Sequence, residues 1–277
     1  MDEVEIITTK SAPRKWNANA ASRSALRASA IVWCVPAIIG QWFFAYHIAV
    51  TYIATAFAGN SAAWNKRLFV GLVPGDRIGN IALVLHLFIA FVITIGGTLQ
   101  LIPQIRTSAP AFHRWNGRLY ITIAFITSLA ALYMIWTRDT FGGILLNDIG
   151  VSLNAVLIMV FAAFALRYAM ARKIAVHQRW ALRTFMAVSG VWFLRVIYAF
   201  LEGVNARVPG VADDMTGPAN VVINFASYLL PLAVLELYFF ARRSPSVVAK
   251  FATAAVVLVA ATATGIGVYR RIKGWME

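Results

Sequence analysis

The chain has 277 residues, 60% of them hydrophobic and 13% charged, with a formal net charge of +14. A soluble domain carries about 25% charged residues, so a soluble enzyme, a disordered chain and a fibrous repeat are excluded. A nucleic-acid binder would be basic without being this apolar. The remaining class is a polytopic membrane protein with one basic side.

About 27 largely polar residues come first, with Lys10, Arg14, Lys15, Arg23 and Arg27 among them. The apolar run that follows is too long for a signal-peptide core. Residues 1–28 therefore read as a retained basic cytoplasmic tail, residues 29–270 as a transmembrane domain and residues 271–277 as a short external tail.

A bilayer needs about 20 apolar residues per helix. Seven stretches supply them, near 29–52, 78–103, 119–137, 149–166, 184–203, 217–240 and 251–269. Pro36 and Pro231 fall inside spans and are expected to kink them. The connection from Ile53 to Arg77 carries Trp64 and Leu68-Phe69-Val70, and is expected to lie along the interface as a short amphipathic helix. Trp42, Trp64, Trp115, Trp136 and Trp180 fall near the expected interfaces, as aromatic belts do. The expected fold is an all-α bundle of seven membrane helices.

The basic residues divide unevenly between its two sides. Lys and Arg number 16 on the N-terminal side and 8 on the other, with Arg195 inside the fifth span. The positive-inside rule then places the N-terminus in the cytoplasm and the C-terminus outside, in a bacterial inner membrane. The basic side is expected to meet anionic lipid headgroups.

One local duplication stands out. His113-Arg114-Trp115-Asn116-Gly117-Arg118 follows the second span, and His177-Gln178-Arg179-Trp180-Ala181-Leu182-Arg183 follows the fourth. Each is a His followed by Arg-Trp-x-x-Arg at the cytoplasmic start of an outward-running helix. Such a motif can be an interfacial anchor, with Arg snorkelling and Trp at headgroup level. It can also be an anion site, because the planar guanidinium forks of Arg114, Arg118, Arg179 and Arg183 suit a carboxylate or phosphate.

These residues carry a family resemblance. Leu99-Gln100, Arg106, Pro110, His113-Arg114, Gly117-Arg118 and Tyr120 recur in order with His177, Arg179-Trp180, Arg183 and Leu194-Arg195. Over this middle third the chain resembles the bacterial membrane-protein family known as domain of unknown function 2306. The resemblance implies a multi-pass membrane architecture and brings no established activity.

Four histidines pair by expected depth. His47 and His86 lie toward the outer face, His86 roughly 12 Å deep at 1.5 Å per residue, while His113 and His177 lie at the cytoplasmic face. Two helices offering an imidazole at similar depth is what bis-His ligation of haem b requires. The alternative for each His is a polar residue satisfied by a neighbouring carbonyl. Cys34 is the only cysteine, and C-x-x-C-H, Walker, H-E-x-x-H and G-x-S-x-G motifs are absent. No carboxylate accompanies the histidines at metal-ligand spacing.

Arg195, Glu202 and Glu236 are the charges expected within spans, where burial is costly and function is the default suspicion. Arg195 and Glu202 share a helical face at i and i+7, and Arg195 is expected to pair with Glu202 or with a backbone carbonyl. Three functions are compatible with this reading. The first is a haem b protein passing electrons or supporting a respiratory complex. The second is a carrier or binding protein for an anionic lipid or small molecule. The third is an accessory subunit of a membrane complex with no site of its own.

Overall fold

The computed structural model describes residues 17–68, 71–137 and 143–276. These residues form nine helices and no strand. They are α1 (Ala18–Phe57), α2 (Arg77–Leu101), α3 (Pro103–Ser108), α4 (Pro110–Thr137), α5 (Leu145–Met170), α6 (Ile174–Val188), α7 (Gly190–Gly203), α8 (Pro218–Arg243) and α9 (Val247–Met276). Six of them are long and apolar enough to cross a membrane, and counting α6 with α7, bent by 55° at their junction, as one span gives up to seven. Polar residues set the ends. Asn17 caps α1 by accepting from the amides of Asn19 and Ala20, and Asp76 caps α2 through Gly79 N–H.

The spans close into a ring. α1 packs on α2 and α9, α2 on α4, α4 on α5, α5 on α6, and α7 on α9, while α8 lies against α5, α6, α7 and α9. The contact between α1 and α9 is the most extensive, and small residues permit it. A Cβ on Gly40 would come within 2.5 Å of Val268 and 2.8 Å of Trp192. A Cβ on Gly267 would strike the carbonyl of Val196. Large apolar side chains such as Ile31, Ile81, Leu129, Val222 and Val259 point outward, as they must where the surroundings are lipid.

Three expectations are corrected. The fifth span is not one helix over 184–203 but two, because the chain breaks at Ser189. The break is held from outside: Gln41 Nε2 donates to Ser189 Oγ at 3.0 Å, and Asn154 Nδ2 donates to the Ala187 carbonyl at 3.2 Å. Gly190 leaves no room for a side chain, since its Cβ would lie 2.9 Å from Asn154. The 53–77 connection is not an amphipathic α-helix. It holds one 3-10 turn, Ser61–Lys66, and is tied down by polar clamps. Asn65 bonds both backbone groups of Leu72, and Asn80 bonds both of Val73. Phe69 and Val70 lie outside the described residues. Trp64 is not a belt residue: it is buried, with Nε1 donating to Thr55 Oγ1 at 2.9 Å.

The prolines do not break their helices. α1 runs through Pro36 and α8 through Pro231. α1 instead loosens one turn after His47, in a π-helical segment over Ala49–Ile53, an irregularity common at functional sites.

Candidate functional site

The ring encloses a cavity of about 510 Å³, within the range of small-molecule sites. It lies toward the side opposite the start of α1, here the far side, and exposed Lys66, Arg67 and Gly274 edge it there. α1, α2, α4, α5, the α6–α7 bend and α9 all contribute walls. Much of the lining is apolar, including Phe44, Ile48, Leu87, Ile93, Phe185 and Trp192.

Two guanidinium groups face this cavity. Arg195 of α7 donates from one terminal nitrogen to the Val191 carbonyl, one turn back, at 3.1 Å. Its guanidinium lies over the Phe44 ring, 5.1 Å from the centroid. Arg271 of α9 lies over Trp275 at 5.4 Å, and its Nε is buried without a hydrogen-bond partner among the described residues. Both also line a small adjoining crevice, so the two cations are neighbours. Neither forms an ion pair among the described residues. Glu202, the other partner expected for Arg195, is exposed near the end of α7, and its charge acts on Arg271. Two cations among aromatic rings in a low-dielectric bundle repel each other and gain from a shared anion.

Aromatic stacking orders this wall. Trp275 lies flat against His47, with ring centroids 4.2 Å apart and planes 6° apart, and also stacks on Phe44. His47 and His86 line the same cavity from α1 and α2. His47 Nδ1 is 3.4 Å from Thr51 Oγ1, and the charges of Arg271, Arg195 and Arg67 all act on its ring. His86 Nδ1 is buried with no protein partner. Tyr120, Ser128 and Asn154 also line the cavity, and Tyr120 OH, Ser128 Oγ and Asn154 Oδ1 are buried with no hydrogen-bond partner among the described residues. Buried polar groups are normally hydrogen-bonded, so their concentration around one space marks it as a place for a polar guest.

The duplicated motif sits at the near end, away from this cavity. His113 and His177 lie in the first turns of α4 and α6, close enough for one charge to act on the other. His177 Nδ1 is 2.8 Å from the Ala165 carbonyl, and Gln100 Nε2 donates to the His113 carbonyl at 3.0 Å. Neither histidine lines either cavity. Arg114, Trp115 and Arg118 are exposed. Arg183 is taken by Glu236 in a bidentate ion pair at 2.6 and 2.9 Å, and stacks over Trp180 at 4.6 Å. Trp180 is itself packed on Phe164 at 4.7 Å. Convergence of four free forks on one anion is thereby corrected, because Arg183 is already neutralised. Glu236 is likewise not a buried charge: its side chain is 47% exposed.

Hydropathy assigned residues 271–277 to an external tail, whereas α9 continues to Met276 and carries Arg271 and Trp275 into the cavity wall. Their spacing of i and i+4 puts them on one helix face, a signal present in the sequence. No group of three or more His, Cys, Asp or Glu is placed to hold a metal ion among the described residues.

The family described as a predicted membrane protein, domain of unknown function 2306, matches residues 83–239, more than half of the chain. The chain belongs to this family. No curated protein and no solved structure matches it. The family segment contains His86, Tyr120, Ser128, Asn154 and Arg195, while α1 and α9 add His47, Arg271 and Trp275 from outside it.

Proposed function

We propose that this integral membrane protein binds a small organic anion in the ring cavity, its carboxylate or phosphate held between Arg195 and Arg271. The observation that carries this reading is two neighbouring guanidinium groups on one cavity wall, with no ion-pair partner among the described residues. Guanidinium forks bind such oxyanions in bidentate fashion, and the apolar remainder of the wall takes the body of the ligand. The near side faces the cytoplasm of a bacterial inner membrane, supported by the excess of Lys and Arg there, and meets anionic lipid. The cavity then opens outward, with Lys66 and Arg67 at its rim attracting anions.

The test is calorimetry on the detergent-purified protein with decanoate as probe. Saturable binding is expected, lost in Arg195→Gln and Arg271→Gln. Absence of binding, or undiminished binding in both well-folded variants, overturns the reading. A C-terminal alkaline phosphatase fusion tests orientation and is expected to be active.

A second reading is favoured by one observation, that His47 and His86 line the same cavity. They would be the axial ligands of a haem b supporting electron transfer, with Arg195 and Arg271 on its propionates. Against it, His47 is clamped flat under Trp275, and His86 Nδ1 lacks the carbonyl or carboxylate that normally orients a metal-bound imidazole. A Soret band that shifts on reduction, in protein expressed with added haem, would favour this reading over the first.

A further inference from the structure

Resting on the anion-binding reading, we infer that the ligand carries a second, uncharged polar group at the end opposite its acid, and that Tyr120 receives it. The cavity is graded along its length. The hydrogen bond from Gln41 to Ser189 puts these two residues at one level. His47 and Arg195 each lie six residues further on, roughly 9 Å toward the far side along their helices. Cationic groups therefore occupy the outer level, at Arg195 and at the rim.

Below the Gln41–Ser189 level the chemistry changes. Gly97 fixes the position of the floor, because a Cβ there would lie 2.8 Å from the Tyr120 ring and 3.4 Å from Phe185. Tyr120 thus sits level with Phe185, a turn below the break. Its side chain is 8% exposed, and its hydroxyl has no protein partner. Asn154 Oδ1, held near the break by the bond from Asn154 Nδ2 to Ala187, is unpartnered too. No charged residue lines this floor.

A buried hydroxyl and a buried amide oxygen offer hydrogen bonds to a neutral group and penalise a purely apolar one, which would leave both unsatisfied. Ten residues separate Phe185 from Arg195, so the acid and the distal polar group lie at most about 15 Å apart, less after the bend. A medium-length aliphatic or aromatic acid bearing a terminal hydroxyl or carbonyl fits this span.

The experiment compares decanoate with ω-hydroxydecanoate on the full-length protein by calorimetry. In the wild type the hydroxylated acid is expected to bind about fivefold more tightly, the scale of one hydrogen bond. Tyr120→Phe removes one oxygen that makes no hydrogen bond among the described residues, and the ratio of the two affinities is expected to fall to about one in this variant, whatever its affinity for decanoate. Equal binding of the two acids to the wild type overturns this inference and leaves the anion reading standing. A preference that persists in Tyr120→Phe overturns it as well. If neither acid binds, both readings fall.

Discussion

The two ends of the bundle use the same residue types to opposite effect. At the near end Arg183 is met by Glu236 and sandwiched by Trp180 and Phe239, and His177 is matched to a backbone carbonyl. Toward the far side Arg195 and Arg271 stand over aromatic rings with no carboxylate in ion-pair range among the described residues, where His86 Nδ1 also has no partner. An arginine closed by its own acid stabilises a helix contact. An arginine left open in a cavity is costly to the unliganded protein and valuable only to a complex.

This contrast makes graded predictions. The largest effect is expected at the open end, where Arg195→Gln should weaken decanoate binding by tenfold or more, on the order of 2 kcal/mol; calorimetry reads it. The same variant should melt no lower than the wild type without ligand, because it removes an uncompensated charge. A clear loss of thermal stability would instead show that Arg195 is structural. At the closed end Glu236→Gln should lower the melting temperature slightly and leave decanoate affinity unchanged. A half-exposed pair of this kind is worth about 1 kcal/mol or less.

Smaller still is the effect at the rim. Lys66→Gln with Arg67→Gln should slow association a few-fold at low salt and converge with the wild type at high salt, as stopped-flow mixing would record. The smallest concerns Asp214 in the far-side connection. It accepts from Thr216 N–H at 3.1 Å and Thr216 Oγ1 at 2.6 Å, and these bonds hold its carboxyl below the ordinary carboxylate range. Its lowered value means that the ordering of this turn is complete above the usual carboxylate pKa and disappears as pH falls through the lowered one. Chemical shifts of the Thr216 amide, followed over an acid titration, would report it.

Much of the architecture was legible because lipid imposes a long, uniform apolar run on every crossing. Six of the span candidates follow from hydropathy alone, and Arg195 stands out for being a charge inside such a run. The bend at Ser189 was not legible. It depends on Gln41, 148 residues distant in sequence, and on Gly190 having no space for a Cβ. The bond between Arg183 and Glu236 is of the same kind, since hydropathy places both near one end without saying which of several arginines takes the acid. Arg271 was missed for a local reason: a charge-rich stretch looks like a tail even when the helix beneath it continues. Tyr120 was visible among the residues carrying the family resemblance, but nothing in its neighbours tells that it lines the cavity with a buried hydroxyl that has no partner among the described residues.

The intimate contact of α1 with α9 bears on how the protein is made. Spans enter the bilayer in chain order, so α1 waits at one side of a half-built crescent until α9 is released. Arg271 and Trp275 come after the wall residues of every other helix in the chain, and the chamber has no complete wall before they are made. Assembly and competence to bind are thus coupled in time, and a nascent chain stalled before Arg271 would hold its earlier spans around an unfinished site.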